Sequence, residues 1–220
     1  MKPKQIVIYG GGGFAREVAW LVQSCNQGVS KYQIACFVDD NEALHGSSPN
    51  GIPILSLRAA QDQFPDASLV SAIGSPRIRQ RVVEKATAAG FTFETIIHPR
   101  VERSEWIEIG AGSVVCVGSI LTTNIILGQQ VQINLDCTIG HDVVMGDYAT
   151  LAPGVHISGN VHLGQRVYVG TGATIINGTS ETPLIIGDDT VIGAGACVTR
   201  SMPSGLTVVG VPAKPLQRTA

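Results

Sequence analysis

The feature that most constrains this chain is an apolar residue that recurs at every sixth position in its C-terminal half. Twelve residues keep this spacing without interruption: Ile109, Val115, Leu121, Leu127, Ile133, Ile139, Met145, Leu151, Ile157, Leu163, Val169 and Ile175. Small or β-branched residues follow four positions after these anchors, from Ser113 to Ala173. Each unit therefore offers two inward side chains and a turn, which only a stack of units can bury. The pattern predicts a β-helix in which three six-residue faces make an 18-residue coil.

The phase of this repeat breaks once, after Ile175. The next anchor is expected at position 181, but the next regular unit begins at Ile186, so five extra residues must leave the coil. We expect them to form a loop within 177–185. The tail at 208–215 should fold against the last coil.

Residues 1–97 show a different pattern, in which apolar runs alternate with amphipathic segments. The apolar runs predict strands at 5–9, 34–38, 69–73 and 92–97, and 46–51 is loop-like. The other segments predict helices after Gly13, from Ser56 to about Phe64 and after Ser75. The first and last helices should bury Phe14, Val18, Leu21, Val22, Cys25, Ile78, Val82 and Ala86. This alternation indicates a small α/β, Rossmann-like domain at 1–97, followed by the β-helix domain at 98–220.

Composition excludes several classes of function. The net charge is −2 and the pI about 6.2, so we expect no binding of nucleic acid or of an anionic membrane surface. No apolar stretch has the length of a transmembrane helix, and the N-terminus resembles a first strand more than a signal peptide. The five cysteines lack the CxxC spacing, which favours reduced thiols in a cytoplasmic protein.

His141 is the strongest candidate for chemistry in the repeat. Asp142 follows it and Asp136 precedes it by a few residues, and an imidazole beside a carboxylate suits a general base near neutral pH. Gly159 comes 18 residues later, so it should lie at the same corner, about 4.8 Å further along. Its N–H could donate to a developing oxyanion, which is typical of acyl transfer. A solvated turn histidine is the alternative.

The other two histidines of the repeat, His156 and His162, fall at different places around an 18-residue coil. One subunit therefore cannot bring all three histidines to one metal ion, and we expect no metal and two exposed corner residues. A histidine cluster across subunits, as in hexapeptide-type carbonic anhydrases, is the alternative.

The glycines after the first strand could hold a nucleotide. Gly10, Gly12 and Ala15 fit GxGxxA between a strand and a helix, where the backbone can approach an anion closely. Asp39 and Asp40, at the end of the second strand, could bind a ribose or a base. A purely structural tight turn is an equal alternative.

The order of the motifs along the chain can be compared with that of known families. It is IVIYGGGGFARE, FVDDN, SAIGSPRIRQRV, the repeat with IGHDVVMGDYATLAPGVHISGNVHLG, and VGVPAKP. Nearly the whole chain resembles bacterial sugar acyltransferases of the left-handed β-helix superfamily, which act on nucleotide-linked amino sugars or on sialic acids. The resemblance implies a left-handed helix, a homotrimer with sites between subunits, acetyl-CoA along the β-helix and a nucleotide sugar on the N-terminal domain.

The resemblance also implies roles for particular residues. His141 would be the general base, Asp142 its acidic partner and Gly159 the donor to the thioester carbonyl. Gly159, Thr171, Ala194 and Lys214 would line the coenzyme A groove. The nucleotide sugar would face Gly10, Gly12, Gly13, Asp39, Asp40, Gly74 and Ser75. Some relatives carry a second histidine where this chain has Thr150, so no role of that histidine is carried over.

The function expected from the resemblance is direct acetyl transfer from acetyl-CoA to the 4-amino group of a nucleotide-linked 4-amino-4,6-dideoxy sugar, such as GDP-perosamine or a UDP-linked sugar. An O-acetyltransferase of sialic acid or another sugar is the main alternative. An NAD-dependent enzyme is disfavoured because 1–97 is only half a dinucleotide fold, and a non-catalytic scaffold is the third alternative. The nucleotide, the acylated position and the acyl length stay open.

Overall fold

A computed structural model describes residues 2–216, and the chain divides into two compact units between Pro99 and Arg100. Within residues 2–216, every helix is too short or too polar to cross a membrane. The elements of the N-terminal unit are β1 (Lys4–Tyr9), α1 (Gly13–Ser24), β2 (Tyr32–Val38), β3 (Ile54–Leu55), α2 (Leu57–Gln63), β4 (Ser68–Ser71), α3 (Pro76–Ala88), β5 (Thr92–Phe93) and β6 (Ile96–Ile97).

The N-terminal unit is built on a parallel sheet with the strand order β3-β2-β1-β4-β5. Because the chain crosses from β1 to β2 on one side and to β4 on the other, the order reverses at β1. Ligands of open α/β sheets bind at such a reversal, beyond the carboxyl ends of the strands. The glycine turn, Asp39–Asp40 and Gly74–Ser75 each follow one of these three strands, so the topology brings them to one edge.

Most of the predicted elements of this unit are confirmed, with two differences. Strand β3 was not predicted, and the loop-like 46–51 contains a short 3₁₀ turn at Pro49–Gly51. The expected burial of Ile78 is wrong, because Ile78 is 50% exposed while Arg79 is fully buried. The buried stripe of α3 runs through Arg79, Val82, Val83 and Ala86, so Ile78 falls on its flank.

The C-terminal unit consists of short strands. They are β7 (Glu102–Arg103), β8 (Ile107–Ile109), β9 (Val114–Val115), β10 (Ile120–Leu121), β11 (Ile125–Leu127), β12 (Gln132–Ile133), β13 (Thr138–Ile139), β14 (Val144–Met145), β15 (Thr150–Leu151), β16 (His156–Ile157), β17 (Val161–Leu163), β18 (Tyr168–Val169), β19 (Thr174–Ile175), β20 (Leu184–Ile186), β21 (Val191–Ile192), β22 (Cys197–Val198), β23 (Thr207–Val209) and β24 (Lys214–Pro215).

These strands form the three faces of the predicted left-handed β-helix. Face one contains β7, β10, β13, β16, β19 and β22; face two contains β8, β11, β14, β17 and β20; face three contains β9, β12, β15, β18, β21 and β23. Up to β19, neighbouring strands of a face pair in parallel at an offset of 18 residues, as Ile120 does with Thr138. The anchors are buried, except for the partly exposed Ile109. The repeat therefore fills the interior as predicted.

The corners between the faces depend on a residue that the apolar pattern did not reveal. The third residue after an anchor has a positive φ, and it is often not glycine: Asn124, Gln130, Asp136, Asp142, Tyr148, Asn160, Arg166 and Asp189. Such a conformation is costly for most L-residues, and asparagine and aspartate adopt it most readily. The stacked coils impose it at every turn.

Each corner stacks residues from successive coils. We name the three corners after one member of each: the His141 corner (Thr123, His141, Gly159), the Asp147 corner (Gln129, Asp147, Gln165, Asp188) and the Thr171 corner (Leu135, Pro153, Thr171, Ala194). His141 and Gly159 thus share a corner, as the spacing predicts.

The five extra residues leave the coil at the His141 corner. Val161 pairs with Leu184, an offset of 23 residues instead of 18. The Gly178 N–H donates to Gly159 O at 3.0 Å, and the Leu184 N–H donates to Asn160 O at 3.0 Å. Residues 179–183 therefore project one coil after Gly159, as a loop within the predicted range. The tail is also confirmed, because β23 pairs with β21 and β24 turns back onto β23.

Candidate acyltransferase site

The catalytic candidate is a histidine–aspartate pair on the turn after β13. His141 Nδ1 and Asp142 Oδ2 are 2.7 Å apart, and both side chains are about half exposed. Backbone bonds fix the turn on both sides: the Asp142 N–H donates to Thr123 O at 3.2 Å, and His141 O accepts from the Asn160 N–H at 2.9 Å. The left-handed φ of 57° at Asp142 brings its carboxylate back to the preceding imidazole.

The electrostatics of this pair assign the tautomer of the imidazole. The pKa of Asp142 is lowered, chiefly by its hydrogen bond with His141 and next by one from Asn124, whose Nδ2 lies 3.3 Å from Asp142 Oδ1. An ionised carboxylate only accepts hydrogen bonds, so the neutral imidazole carries its proton on Nδ1. Nε2 is then left with a free lone pair and can act as a base.

Gly159 is a glycine because the imidazole occupies the space of its side chain. A β-carbon at Gly159 would lie 2.5 Å from both Nε2 and Cε1 of His141. The φ of Gly159 is not in the left-handed region, so the requirement is one of space rather than of conformation. The basic nitrogen of His141 is therefore held beside the backbone of Gly159.

The N–H of Gly159 has no hydrogen-bond acceptor within the described part of the chain, residues 2–216. At the Asp147 corner, two N–H groups at the equivalent place have acceptors. Gln129 N–H donates to Asp147 Oδ1 and Gln165 N–H to Asp188 Oδ1, each at 2.8 Å. The second residue after an anchor can thus donate its N–H to an anionic oxygen. Beside His141 that place is open to a ligand.

The glycine turn of the N-terminal unit combines two kinds of glycine. Gly10 has a φ of 132°, and a β-carbon there would lie 2.8 Å from Ala72 O, so the fold itself requires glycine. A β-carbon at Gly12 would have no neighbour within 4 Å, and one at Gly13 would meet only Arg16 Nη2, at an ordinary contact distance of 3.8 Å. Gly12 is also the N-cap of the 12-residue helix α1 and offers no side-chain cap. Packing does not explain these two glycines, whereas close approach of a ligand to the helix N-terminus does.

Asp39 and Asp40 differ in their environment. Asp39 braces the turn, accepting from the N–H groups of Gly11 and Asn41 at 2.8 Å each. Asp40 accepts from Tyr9 Oη at 2.8 Å and from Lys85 Nζ. Partial burial opposes ionisation of Asp40, but the bonds from Lys85 and Tyr9 outweigh it, and the pKa of Asp40 is lowered.

A cavity of about 930 Å³ opens beside these carboxylates, and its polar lining includes Asp39, Asp40, Glu42, His45, Arg58 and Lys85. Its volume is in the upper part of the range for small-molecule sites. The N-terminal unit thus offers a concave site next to Asp39 and Asp40, on the β2–β3 side of the glycine turn.

Comparison with known proteins identifies the family. Residues 5–86 match the family described as the PglD N-terminal domain. Over 214 residues the chain is 35% identical to GDP-perosamine N-acetyltransferase of Escherichia coli O157:H7, covering 96% of each protein. The chain belongs to this family of sugar N-acetyltransferases. The family and the activity class predicted from the sequence are confirmed.

Solved structures of other members share the fold of this N-acetyltransferase. Perosamine N-acetyltransferase from Caulobacter crescentus, a histidine-to-asparagine mutant in complex with CoA and GDP-perosamine, matches with a TM-score of 0.86 and 31% identity over 97% of each chain. The acetyltransferase domain of PglB from Neisseria gonorrhoeae FA1090, in complex with acetyl coenzyme A, matches with a TM-score of 0.86 and 32% identity, over 98% of this chain and 100% of that one.

The remaining candidate residues of this N-acetyltransferase lie away from His141 in the β-helix. Thr171 and Ala194 are stacked on the Thr171 corner, where the Gly195 N–H donates to Thr171 O at 2.8 Å. Asp136 lies on that corner too. Lys214 is exposed in β24. A single chain therefore does not bring these residues to the His141 corner.

Three further positions complete the comparison with the sequence prediction. Thr150 lies in β15 on face three and is buried. His156 and His162 lie in strands β16 and β17 on adjacent faces, so their predicted place at corners is wrong. His156 Nδ1 lies 2.7 Å from Thr138 Oγ1. Within residues 2–216, no group of three or more histidine, cysteine or acidic side chains is arranged to hold a metal ion.

Two residues of the sites were missed in the sequence. Asn124 contacts Asp142, and counting back 18 residues from Asp142 would have found it. Arg79, fully buried, donates from Nη1 to Ile73 O at 2.7 Å and thereby holds the loop before Gly74 and Ser75. Ser75 is the N-cap of α3, but its side chain makes no capping bond. The available signal for Arg79 was its spacing, three residues before Val82 and seven before Ala86 on the same side of α3.

Proposed function

We propose that this enzyme transfers the acetyl group of acetyl-CoA to the 4-amino group of a nucleotide-linked 4-amino-4,6-dideoxy sugar. The observation that carries the proposal is the contact between the His141 imidazole and Gly159, whose N–H is open to a ligand. Relatives named for GDP-perosamine, and structures of relatives with CoA, acetyl-CoA and GDP-perosamine, support the two substrates.

The geometry supports direct transfer. Asp142 accepts a hydrogen bond from Nδ1–H, and Nε2 takes a proton from the sugar amine as its nitrogen attacks the thioester carbonyl. A C–N bond forms, and the Gly159 N–H stabilises the tetrahedral oxyanion. Collapse breaks the C–S bond, and the proton on Nε2 passes to the departing thiolate. The products are the amide and CoA thiol.

A covalent acyl-enzyme is disfavoured by the cysteines. Burial raises the pKa of Cys36 to about 12 and that of Cys137 to about 11, so their thiolates are scarce at neutral pH. All five cysteines are unpaired thiols, which fits the reducing cytoplasm that we propose as the location of the enzyme.

Coenzyme A would lie along the His141 corner beside Gly159. Thr171, Ala194 and Lys214 can contribute to the same groove only from another chain, because Thr171 and Ala194 occupy a different corner. We therefore propose a homotrimer in which the His141 corner of one subunit faces the Thr171 corner of the next. Each groove is then complete only in the assembly.

The nucleotide sugar would bind the N-terminal unit at 1–97. Its diphosphate would lie on Gly12 and Gly13 at the N-terminus of α1, where the helix dipole favours negative charge. Gly10, Gly74 and Ser75 would border it, and the nucleoside would face Asp39 and Asp40 in the adjacent cavity.

A panel of acceptors tests the proposal. CoA thiol release from acetyl-CoA would be measured with GDP- and UDP-linked 4-amino-4,6-dideoxy sugars, CMP-sialic acid and free sialic acid. Saturable turnover with an amino-sugar nucleotide is expected. Turnover only with a hydroxyl acceptor would replace the proposal with O-acetylation. No turnover with any acceptor would favour a non-catalytic scaffold.

A further inference from the structure

We propose that Asn124 is a positioning residue that orients Asp142 toward His141. The inference rests on the proposed role of His141 as the base. Asn124 has no place in the motif that marks the family, and it lies one coil before the catalytic pair.

The contacts of Asp142 are divided between its two oxygens. Oδ2 is 2.7 Å from His141 Nδ1, and Oδ1 is 3.3 Å from Asn124 Nδ2. The Asp142 side chain is 48% exposed, so no surrounding wall keeps it in one rotamer. The amide of Asn124 supplies the second point of attachment that fixes the plane of the carboxylate.

The orientation of the Asn124 amide is itself specified. Thr123 Oγ1 lies 3.5 Å from Asn124 Oδ1, so the Thr123 hydroxyl contacts the amide oxygen while the Asp142 carboxylate contacts the amide nitrogen. An amide oxygen facing the carboxylate would be repulsive, which assigns the N–H₂ group to that side. Three consecutive contacts thus link Thr123, Asn124, Asp142 and His141 along one corner.

The same hydrogen bond favours the charged form of Asp142, since the Asn124 contact contributes to its lowered pKa. The ionised form is the one that holds the proton on Nδ1 and leaves Nε2 basic. Loss of Asn124 should therefore slow the chemical step without weakening substrate binding.

A purely structural role for Asn124 makes a different prediction. Asn124 has a φ of 55°, a conformation that asparagine tolerates better than most residues. Glycine keeps this conformation but lacks the amide. Asn50, an exposed asparagine with a φ of 54° in the N-terminal unit, gives the matched control.

The test uses Asn124→Gly and Asn50→Gly in the enzyme with both units present. Asn124→Gly should lower kcat about tenfold, the effect of one hydrogen bond to a charged group, and leave both KM values and the melting temperature close to those of Asn50→Gly. In an Asp142→Asn background the same change should cost less than twofold, because the residue acts through Asp142. Wild-type kcat in Asn124→Gly, or an equal loss in both backgrounds, would overturn the inference.

A measurement without catalysis separates this inference from the proposed function. A crystal structure of Asn124→Gly should show the Asp142 carboxylate turned away from His141 Nδ1, whereas Asn50→Gly should keep the 2.7 Å contact of wild type. This result with an enzyme inactive on every amine would sustain the positioning role and reject the proposed function. An unchanged contact in Asn124→Gly would reject the positioning role.

Discussion

The imidazole of His141 lies against the backbone of Gly159, so that a β-carbon at Gly159 would come within 2.5 Å of Nε2. The two residues are 18 positions apart and meet because one coil of the β-helix separates them. This contact places the proposed base beside an N–H that has no acceptor within residues 2–216, an arrangement that suits acyl transfer.

Replacing Gly159 with alanine should displace the imidazole and lower kcat by about 10²-fold or more, the scale for loss of a base or an oxyanion donor. The fold should persist because Gly159 has an ordinary φ. Steady-state kinetics and thermal unfolding would measure both. Equal kcat in Gly159→Ala and wild type would exclude the assigned site.

Replacing Asp142 with asparagine should lower kcat by roughly 10²-fold, because the amide no longer enforces a proton on Nδ1. The lowered pKa of Asp142 keeps the wild-type carboxylate ionised to below the usual aspartate value of about 3.9. Protonation of Asp142 therefore adds no limb to the wild-type pH–rate profile between pH 5 and 9. Two separate falls in rate on the acidic side of this pH range would count against this assignment.

Excision of residues 179–183 should raise the KM for acetyl-CoA several-fold and leave that for the nucleotide sugar unchanged. The loop leaves the His141 corner one coil after Gly159, on the side away from His141, along the corner where we propose that coenzyme A binds. Folding should survive, since Gly178 and Leu184 already pair with the consecutive residues Gly159 and Asn160. Unchanged KM for acetyl-CoA would show that the loop does not contact the donor.

Substitutions in the glycine turn should separate folding from binding. Gly12→Val should preserve the melting temperature, because Gly12 has free space, but raise the KM for the nucleotide sugar at least tenfold. Gly10→Val should destabilise the N-terminal unit, because its φ is 132° and a β-carbon would meet Ala72 O. Thermal unfolding and kinetics on both variants test the pair. A wild-type KM for the nucleotide sugar in Gly12→Val would show that the nucleotide does not bind at this turn.

The fold was largely predictable because each residue of a β-helix has the same surroundings as the residue one coil away. The six-residue period therefore gave the anchors, the 18-residue coil, the shared corner of His141 and Gly159 and the loop after Ile175. The left-handed residue of each corner was hidden because Gln130, Tyr148 and Arg166 adopt it under constraint from the stacked coils rather than by preference.

The site was predictable only where covalent spacing fixes distance. His141 and Asp142 are adjacent in the sequence, and Asn124 could have been found by counting back one 18-residue coil from Asp142. Arg79 was missed because burial of a charged side chain depends on carbonyl groups that the fold brings to it. The groove that we propose for Thr171 and Ala194 would depend on a second chain, whose contacts no periodicity within one chain encodes.

The most direct test is CoA release by wild type and His141→Asn with acetyl-CoA and the best amino-sugar nucleotide of the acceptor panel. Asparagine keeps a polar side chain of similar reach but cannot accept the proton. The account predicts that kcat falls by roughly 10²–10⁴ while both KM values stay within a few-fold of wild type. Turnover close to wild type in His141→Asn would contradict the assignment of His141 as the base.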